Sequence, residues 1–234
     1  MTHDDRMQGR ILARREALAW LAAGTCALAL PARAATTCVA RPEQTQGPFY
    51  VDERLERSDI RGDPATGETS LGAPLALTFA VSRLTSAQCT ALAGARVDVW
   101  QCDAAGRYSD VRDGRGATAG RKFLRGYQTT GADGIARFVT IVPGWYFGRT
   151  VHIHFRIDAP GANGRVQRFT SQLYFDDAFV DGVHAQAPYA SRSARRTRNR
   201  DDPIWRDGGA QLMLVPEGSG EGYAAQFDIG LAGG

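Results

Sequence analysis

Two histidines stand one residue apart in a segment where polar and apolar residues alternate. His152 and His154 occupy polar positions of residues 150–157, between apolar residues such as Val151 and Phe155, and they are half of the chain's four histidines. A period of two predicts a β-strand, in which residues i and i+2 point the same way, roughly 6.6 Å apart. The two imidazoles are therefore usable as a pair of metal ligands. The alternative is two histidines at the edge of the core that hydrogen-bond to their neighbours.

Two tyrosines are placed to complete such a site. Tyr146 precedes His152 by six residues, across a turn that contains Pro143 and Gly144, and Tyr108 follows a strand-like run. A phenol has a pKa of about 10 and is normally neutral, but a highly charged cation deprotonates its ligands. Ferric iron prefers anionic oxygen and still accepts imidazole, so two tyrosinates and two neutral histidines would leave Fe³⁺ with a net charge of about +1. For each tyrosine the alternative is ordinary packing.

Strand-like runs separated by turn residues make up most of the chain after residue 34. The turns are rich in Gly, Pro, Asn and Asp, and Ala-Asp-Gly at 132–134 predicts a β-hairpin. No helical pattern of useful length appears beyond residue 34. These features predict an all-β fold, an antiparallel β-sandwich of about eight strands with long surface loops. The runs are 75–82, 95–101, 123–129, 136–142, 150–157, 169–175, 211–215 and 226–231.

Two irregular segments flank these runs. A polar arm at 41–61 shows no periodicity and is expected to wrap the domain. A long loop is predicted at 181–207, with solvated surface as its ordinary role and a rim that attracts carboxylated substrates as the functional alternative. This loop carries Arg192, Arg195, Arg196, Arg198 and Arg200.

The first 34 residues have the features of a signal peptide. An apolar run at 17–30 follows Arg14 and Arg15 and precedes a small-x-small cleavage pattern at 32–34. The run is too short for a membrane span, and the arginine pair suggests the twin-arginine route, with ordinary secretion as the alternative. We therefore expect a signal peptide over 1–34, a single domain over 35–234, and export to the periplasm or the extracellular space.

Charge and cysteines bound the functional classes further. The formal net charge is +3 over 234 residues, which does not suggest binding to nucleic acid or, after processing, to a membrane. Three cysteines follow the signal peptide, and export favours one disulfide and one remaining thiol. Cys38 and Cys89 lie in loop-like segments and are expected to pair. Cys102 ends a strand pattern and is expected to be a buried thiol.

Seven motifs between about residue 45 and residue 202 are together specific, although none is specific alone. With these motifs the sequence resembles the intradiol ring-cleavage dioxygenases, the ferric catechol-cleaving enzymes that include protocatechuate 3,4-dioxygenase. The motifs are QGPFY (46–50), RSDIR (57–61), VWQCDA (99–104) continuing to Tyr108, FLRG (123–126), PGWY (143–146), RTVHIHF (149–155) and SQLYF (171–175).

The resemblance implies roles for particular residues. Its implied ligands of a non-haem Fe³⁺ are Tyr108, Tyr146, His152 and His154. Tyr146 and His152 would be the axial pair, and Tyr146 would leave the metal and take a catechol proton. Arg149 and Gln172 match residues that line the substrate site, where Arg149 would stabilise negative charge. Strict alternation would put Arg149 on the face opposite His152, so this role requires a turn or bulge at the start of the strand.

The resemblance also implies an activity: cleavage of a catechol by O₂, with both oxygen atoms incorporated, to a cis,cis-muconate. The expected partners are a small catechol substrate and O₂, with a homo-oligomer as a further expectation. Three departures from the family stand out. The linker from Tyr146 to His152 is shorter than in the well-known catechol and protocatechuate enzymes, which suggests an open pocket. The N-terminal helical dimerisation segment of catechol 1,2-dioxygenases is missing. Export differs from the cytoplasmic enzymes of aromatic degradation and fits a secreted branch of the family. The alternatives are a non-catalytic carrier of phenolic compounds and a zinc hydrolase that uses His152, His154 and His184.

Overall fold

A computed structural model describes residues 39–85, 88–112, 118–161, 164–193 and 197–232. The predicted signal peptide lies outside these residues. Within them, nine β-strands form two sheets. The strands are β1 (Pro74–Leu84), β2 (Cys89–Ala91), β3 (Arg96–Trp100), β4 (Arg125–Thr129), β5 (Ile135–Ile141), β6 (His152–Pro160), β7 (Val166–Tyr174), β8 (Glu217–Ser219) and β9 (Gly222–Ala232).

The two sheets differ in their pairing. One has the order β4-β3-β6-β7 and is antiparallel throughout. The other has the order β2-β1-β9-β8, with β5 also paired to β1, and its central pair β1–β9 is parallel. The predicted all-β sandwich is confirmed. The prediction that it is antiparallel throughout is wrong, because the pair β1–β9 is parallel. Strand β9 is the last strand of the described residues and lies beside β1, and the chain between the two strands is long enough to permit a parallel pairing.

Strand β6 points one row of side chains into the apolar core between the sheets and the alternate row toward the outer face of its own sheet. Phe155 packs against Phe79 and Phe227 of the other sheet, with ring centroids 5.2 and 5.6 Å apart. Burying an aromatic side chain of this size contributes about 1.5–3 kcal/mol. Because alternate residues face opposite sides, His152 and His154 lie on the outer face of this sheet. The predicted strand is thus confirmed, although it begins at His152 and runs on to Pro160.

The N-terminal arm covers that outer face. Its backbone hydrogen-bonds to β7 through Gln44, to β4 through Arg57 and to β5 through Ile60. The Arg57 side chain adds bonds to the carbonyl oxygens of Gly62 and Arg125. The arm therefore wraps the domain as predicted, and it buries the histidines without adding a long strand to the sheet.

Several local predictions are wrong. The turn at 132–134 joins β4 to β5, which lie in different sheets, so it is a connection between sheets and not a hairpin. Residues 211–215 form no strand, because the 3-10 helix Gly209–Leu212 occupies their first half and only Met213 bridges to Tyr174. The short strands β2 and β8 were not predicted, since three residues give no readable alternation.

The predicted long loop at 181–207 contains regular structure. Helix α1 (Asp177–His184) is capped by Asp176, and α2 (Pro203–Arg206) is capped by Asp202. Helix α1 buries only Val180 and Val183 toward the core, a pattern too short to read from periodicity. The 3-10 helices Tyr189–Ser191 and Asn199–Asp201 lie between the two helices.

The arginines of this segment divide between packing and surface. Arg192 lies over the Trp145 ring at 4.3 Å and donates to the Trp145 carbonyl oxygen. Arg198 pairs with Asp181, and Arg200 is exposed. The segment is thus not uniformly solvated, and Arg195 and Arg196 lie outside the described residues.

The cysteines follow the predicted division as far as they are described. Cys89 is disulfide-bonded, and its predicted partner Cys38 lies outside the described residues. Cys102 is a buried thiol whose Sγ lies 3.4 Å from the carbonyl oxygen of Gly144. In the part of the chain that the structure describes, we find no helix of the length and apolarity that a membrane crossing requires.

Candidate metal centre

The structure brings together the two histidines and two tyrosines singled out from the sequence. His152 Nε2 lies 3.1 Å from His154 Nε2, 3.1 Å from the Tyr146 hydroxyl oxygen and 3.4 Å from the Tyr108 hydroxyl oxygen. All four side chains are buried. Four donor atoms from three separate chain segments therefore converge on one point.

Strand register and stacking place His154. Trp100 of β3 is its direct partner across the pair β3–β6, and the indole and imidazole rings stack with centroids 5.1 Å apart and planes 5° from parallel. On the arm, Gly47 adopts a left-handed conformation, and a Cβ added there would come within 3.1 Å of His154 Cε1. Packing therefore limits the rotation of the His154 ring.

A backbone hydrogen bond fixes His152. Its Nδ1 lies 2.7 Å from the Thr150 carbonyl oxygen, which can only accept, so Nδ1 carries the proton and Nε2 presents a lone pair. Three polar atoms crowd this one lone pair: those of His154, Tyr146 and Tyr108. One lone pair cannot satisfy three neighbours by hydrogen bonding. A cation bound by all four donor atoms would satisfy them together.

The two tyrosines come from turns that contact each other. The carbonyl oxygen of Asp103, at the start of the Tyr108 turn, accepts from the Gly144 N–H, just before Tyr146. A Cβ on Gly144 would overlap the backbone of Asp103 and Ala104, so only glycine permits this approach. Sequence motifs far apart in the chain therefore form one structural unit.

A second set of bonds anchors the Tyr108 backbone. Thr118 Oγ1 donates to the Tyr108 carbonyl oxygen at 2.6 Å, and the buried Arg125 donates to Ser109 Oγ and to the Phe49 carbonyl oxygen. The Phe49 ring stacks on Tyr108 with centroids 4.5 Å apart. Phe49 also lies edge-on to Tyr146. In the sequence, the motif at 46–50 contributed to the resemblance but had no evident role. In the structure, its Phe49 ring covers the rings of Tyr108 and Tyr146.

Burial sets the protonation states of these groups in the protein alone. Burial, followed by the neighbouring Tyr146, raises the pKa of Tyr108 well above its usual value. Burial also lowers the pKa of His152, with a further contribution from the positive charge of Arg149, and it lowers the pKa of His154, with contributions from His152 and Arg149. Both imidazoles are therefore neutral, the form in which histidine binds a metal, whereas the phenolate form of Tyr108 would require a compensating cation.

The donor set fits a first-row cation of high charge. Metal–ligand bonds of about 2.0–2.1 Å, at angles from roughly a right angle to about 120°, put neighbouring donors roughly 2.9–3.6 Å apart. The separations from His152 Nε2 to the other three donor atoms, 3.1–3.4 Å, fall in this range. The Tyr146 oxygen and His152 Nε2 lie closer together than the roughly 4 Å expected of the axial pair that the resemblance implied. Phenolate oxygen and neutral imidazole nitrogen suit ferric iron. The residues therefore fit the cofactor that the sequence suggested.

His184 does not join this site. Its Nε2 lies 2.9 Å from the Pro143 carbonyl oxygen, and its ring stacks on Tyr189 at 4.7 Å. Across the described ranges, no three His, Cys, Asp or Glu side chains form a group that could hold a metal ion. The three-histidine zinc site considered from the sequence is therefore wrong.

Arg149 and Gln172 lie together beside the donor cluster. Arg149 sits in the turn before β6, outside the strand, which supplies the turn that its predicted role requires. Its Nη2 donates to Gln172 Oε1 at 2.6 Å, and its Nε donates to Asp202 Oδ2 at 2.8 Å. Gln172 is the direct partner of His154 across β6–β7. Asp202 was not singled out from the sequence, although an Asp-Pro pair is a helix-start signal.

Comparisons with known proteins agree with this geometry. A family model described as Dioxygenase matches residues 45–195. The protocatechuate 3,4-dioxygenase beta chain of Burkholderia cepacia is 34% identical over 148 residues, which are 58% of this chain and 56% of that protein. The chain thus spans about half the length of this curated relative.

Solved structures extend the likeness over most of the domain. An intradiol ring-cleavage dioxygenase from Tetranychus urticae is 30% identical with a TM-score of 0.68, and the match covers 83% of this chain and 94% of that one. The dioxygenase domain of a carbohydrate-binding fusion protein from Streptomyces sp. SirexAA-E is 28% identical with a TM-score of 0.58, covering 84% of this chain and 100% of that one. The family model and these relatives show that the chain belongs to the intradiol ring-cleavage dioxygenases, a family of oxidoreductases.

Proposed function

We propose that this protein is an iron(III)-dependent intradiol dioxygenase that opens catechols with O₂ to cis,cis-muconates. One observation carries the proposal: two phenol oxygens and two imidazole nitrogens converge at 3.1–3.4 Å in a buried site of this family's fold. Tyr108, Tyr146, His152 and His154 are the proposed ligands. Ferric iron bound there would supply Lewis-acid activation of the catechol and a template that brings it together with O₂.

Tyr146 is the donor best placed to meet the substrate. It retains 8% exposure, whereas the other three proposed ligands are at 0–2%. Its neighbour Phe147 is 77% exposed at the tip of the same turn. Tyr146 is therefore the proposed ligand with the most solvent exposure, and we propose that a catechol approaches the site past this turn. As a phenolate, Tyr146 can accept a proton from a catechol hydroxyl, so the site needs no further general base.

Arg149 and Gln172 are proposed to orient the substrate. Arg149 supplies a fixed positive charge in a mostly buried setting, where it stabilises negative charge on the substrate more strongly than in water. Gln172 is held by three polar contacts, with Thr45, Tyr174 and Arg149, so its amide cannot rotate freely. This rigidity allows the pair to hold one orientation of an aromatic diol.

The chemistry of the site favours simple catechols over carboxylated ones. Arg149 pairs with Asp202 and is proposed to act on the diol oxygens, so it does not also serve as a binding point for a substrate carboxylate. Arg192, the arginine nearest the Tyr146 turn among those described in the basic segment, packs on Trp145. We therefore propose catechol and small 4-substituted catechols as substrates, and export as the cellular setting.

Iron analysis combined with a visible spectrum tests this function. Protein produced without added metal should contain one iron per chain and show a phenolate-to-iron charge-transfer band that shifts when catechol is added without O₂. Adding O₂ should then restore the original band as product forms. A colourless protein with zinc at full occupancy contradicts the proposal, and a shifted spectrum without ring opening would identify a carrier of phenolic compounds instead.

A further inference from the structure

Asp202 is a buried carboxylate that binds two separate parts of the chain. It is 0% exposed and caps helix α2, where Oδ1 accepts from the N–H groups of Ile204 at 2.8 Å and Trp205 at 3.3 Å. Its other oxygen, Oδ2, accepts from Arg149 Nε at 2.8 Å and from the Thr150 N–H at 2.9 Å. Capping α2 accounts for one oxygen only, so the second oxygen has a separate role.

The groups bound by Oδ2 lead directly to the metal centre. Arg149 continues to Gln172 through its Nη2, and Thr150 presents its carbonyl oxygen to His152 Nδ1 at 2.7 Å. The bonds to Asp202 and Gln172 use Nε and Nη2 of Arg149, and neither uses Nη1. One carboxylate, about fifty residues further along the chain, therefore fixes the guanidinium beside the donor cluster.

We propose that Asp202 is a positioning residue of the substrate site, which holds the Arg149 guanidinium so that its Nη1 meets an oxygen of the bound catechol. This inference rests on the proposed function. Asp202 acts through Arg149 and does not itself touch the substrate. Its negative charge also compensates the buried guanidinium, so the arginine remains ordered when the site is empty.

Asp176 provides a matched control for the capping role. It caps α1 in the same way, since its Oδ1 accepts from the N–H groups of Ala178 and Phe179 at 2.8 and 3.2 Å. No contact of Asp176 among the described residues reaches the metal centre. Asparagine keeps one acceptor oxygen and can still cap α1 at position 176, whereas at position 202 that single oxygen cannot serve both the cap and the Arg149 side.

The test compares Asp202→Asn with Asp176→Asn in the iron-loaded protein. Asparagine has one acceptor oxygen and an NH₂ group that cannot accept, so at position 202 either the cap donors or the Arg149 and Thr150 donors lose their partner. We expect Asp202→Asn to weaken catechol binding, followed by the charge-transfer band without O₂, and to lower kcat/KM per bound iron, each by about 10- to 100-fold. Asp176→Asn should leave both unchanged.

A double variant separates positioning from general destabilisation. If Asp202 acts through Arg149, then Asp202→Asn adds no further loss of catechol affinity in an Arg149→Ala background. The inference is overturned if the fold-losses of catechol affinity in the two single variants multiply in the double variant. It is also overturned if Asp202→Asn binds catechol as tightly as Asp176→Asn does. If Asp202→Asn does not fold, Asp202→Glu is used in its place, because glutamate keeps the charge but displaces the carboxylate oxygens by one methylene. A catechol affinity equal to that of the wild type in Asp202→Glu would likewise overturn the inference. Failure of the wild-type protein to turn over catechol would instead reject the proposed function.

Discussion

Replacing His154 by alanine should remove the iron, whereas the same change at His184 should not. The two side chains are closely matched. Each is a histidine stacked on an aromatic ring, His154 on Trp100 at 5.1 Å and His184 on Tyr189 at 4.7 Å. They differ in what their Nε2 atoms meet: His154 faces the donor cluster, and His184 faces the Pro143 carbonyl oxygen.

The size of the expected effect follows from the number of ligands. A four-ligand metal site contributes about 10–16 kcal/mol of apparent binding free energy, so an equal share for one ligand is roughly 2.5–4 kcal/mol. This share corresponds to an affinity loss of about 100- to 1,000-fold. For His184, loss of one hydrogen bond and its packing should instead cost about 1–3 kcal/mol of folding stability.

The assay is iron content after dialysis against a weak chelator, together with O₂ uptake on catechol. His154→Ala should lose iron and activity in parallel, and His184→Ala should keep both while unfolding at lower denaturant concentration. Iron loss from His184→Ala, with iron retained in His154→Ala, would refute the assignment of the donor cluster.

Three further outcomes are expected. Trp100→Ala should lower iron affinity and Trp100→Phe should restore most of it in an iron titration, because phenylalanine keeps a ring face for His154; equal affinity in both variants contradicts this role. Burial depresses the pKa values of His152 and His154, so below pH ~6.5 the unfolded chain binds more protons than the folded one. The iron-free protein should therefore lose up to about 2.7 kcal/mol of unfolding free energy per pH unit as the pH falls through and below that value. A stability that stays constant from pH 7 to 5 in denaturant titrations would argue against buried neutral imidazoles. Peptide mapping without reduction should find Cys89 linked to Cys38, and a bridge that involves another cysteine would show this pairing to be wrong.

The sequence predicted the strand that carries the site because its pattern is long and regular. Residues 151–157 alternate strictly, since one face packs on Phe79 and Phe227 and the other faces the arm. The same reasoning failed at 211–215, where apolar residues pack from a 3-10 helix that has no recognisable period. It also missed the parallel pairing of β1 with β9, which depends on contacts between the two ends of the domain.

The sequence identified the four donor residues of the candidate site but not the residues that position them. His152 and His154 stand out by spacing. Tyr108 and Tyr146 were candidates with ordinary packing as the alternative, and only the resemblance to a family implied that they are ligands, because nothing local distinguishes a ligand phenol from a packed one. Asp202 was missed because Arg149 and Thr150, which its Oδ2 binds, lie more than fifty residues away, and because the segment at 181–207 was predicted to be a loop with no helix to cap. Phe49 was likewise noted only as part of a motif, since its stacking on Tyr108 exists only in the folded protein.

The product formed from catechol tests the central claim most directly. Two phenolates and two imidazoles favour ferric iron and cleavage between the hydroxyl-bearing carbons, whereas ferrous enzymes with two histidines and a carboxylate cleave beside them. Protein incubated with catechol and ¹⁸O₂, without added ferrous ion or reductant, should yield cis,cis-muconate that contains both labelled atoms. A yellow 2-hydroxymuconic semialdehyde as the main product would contradict the assignment of Tyr108, Tyr146, His152 and His154 as the ligands of an intradiol centre.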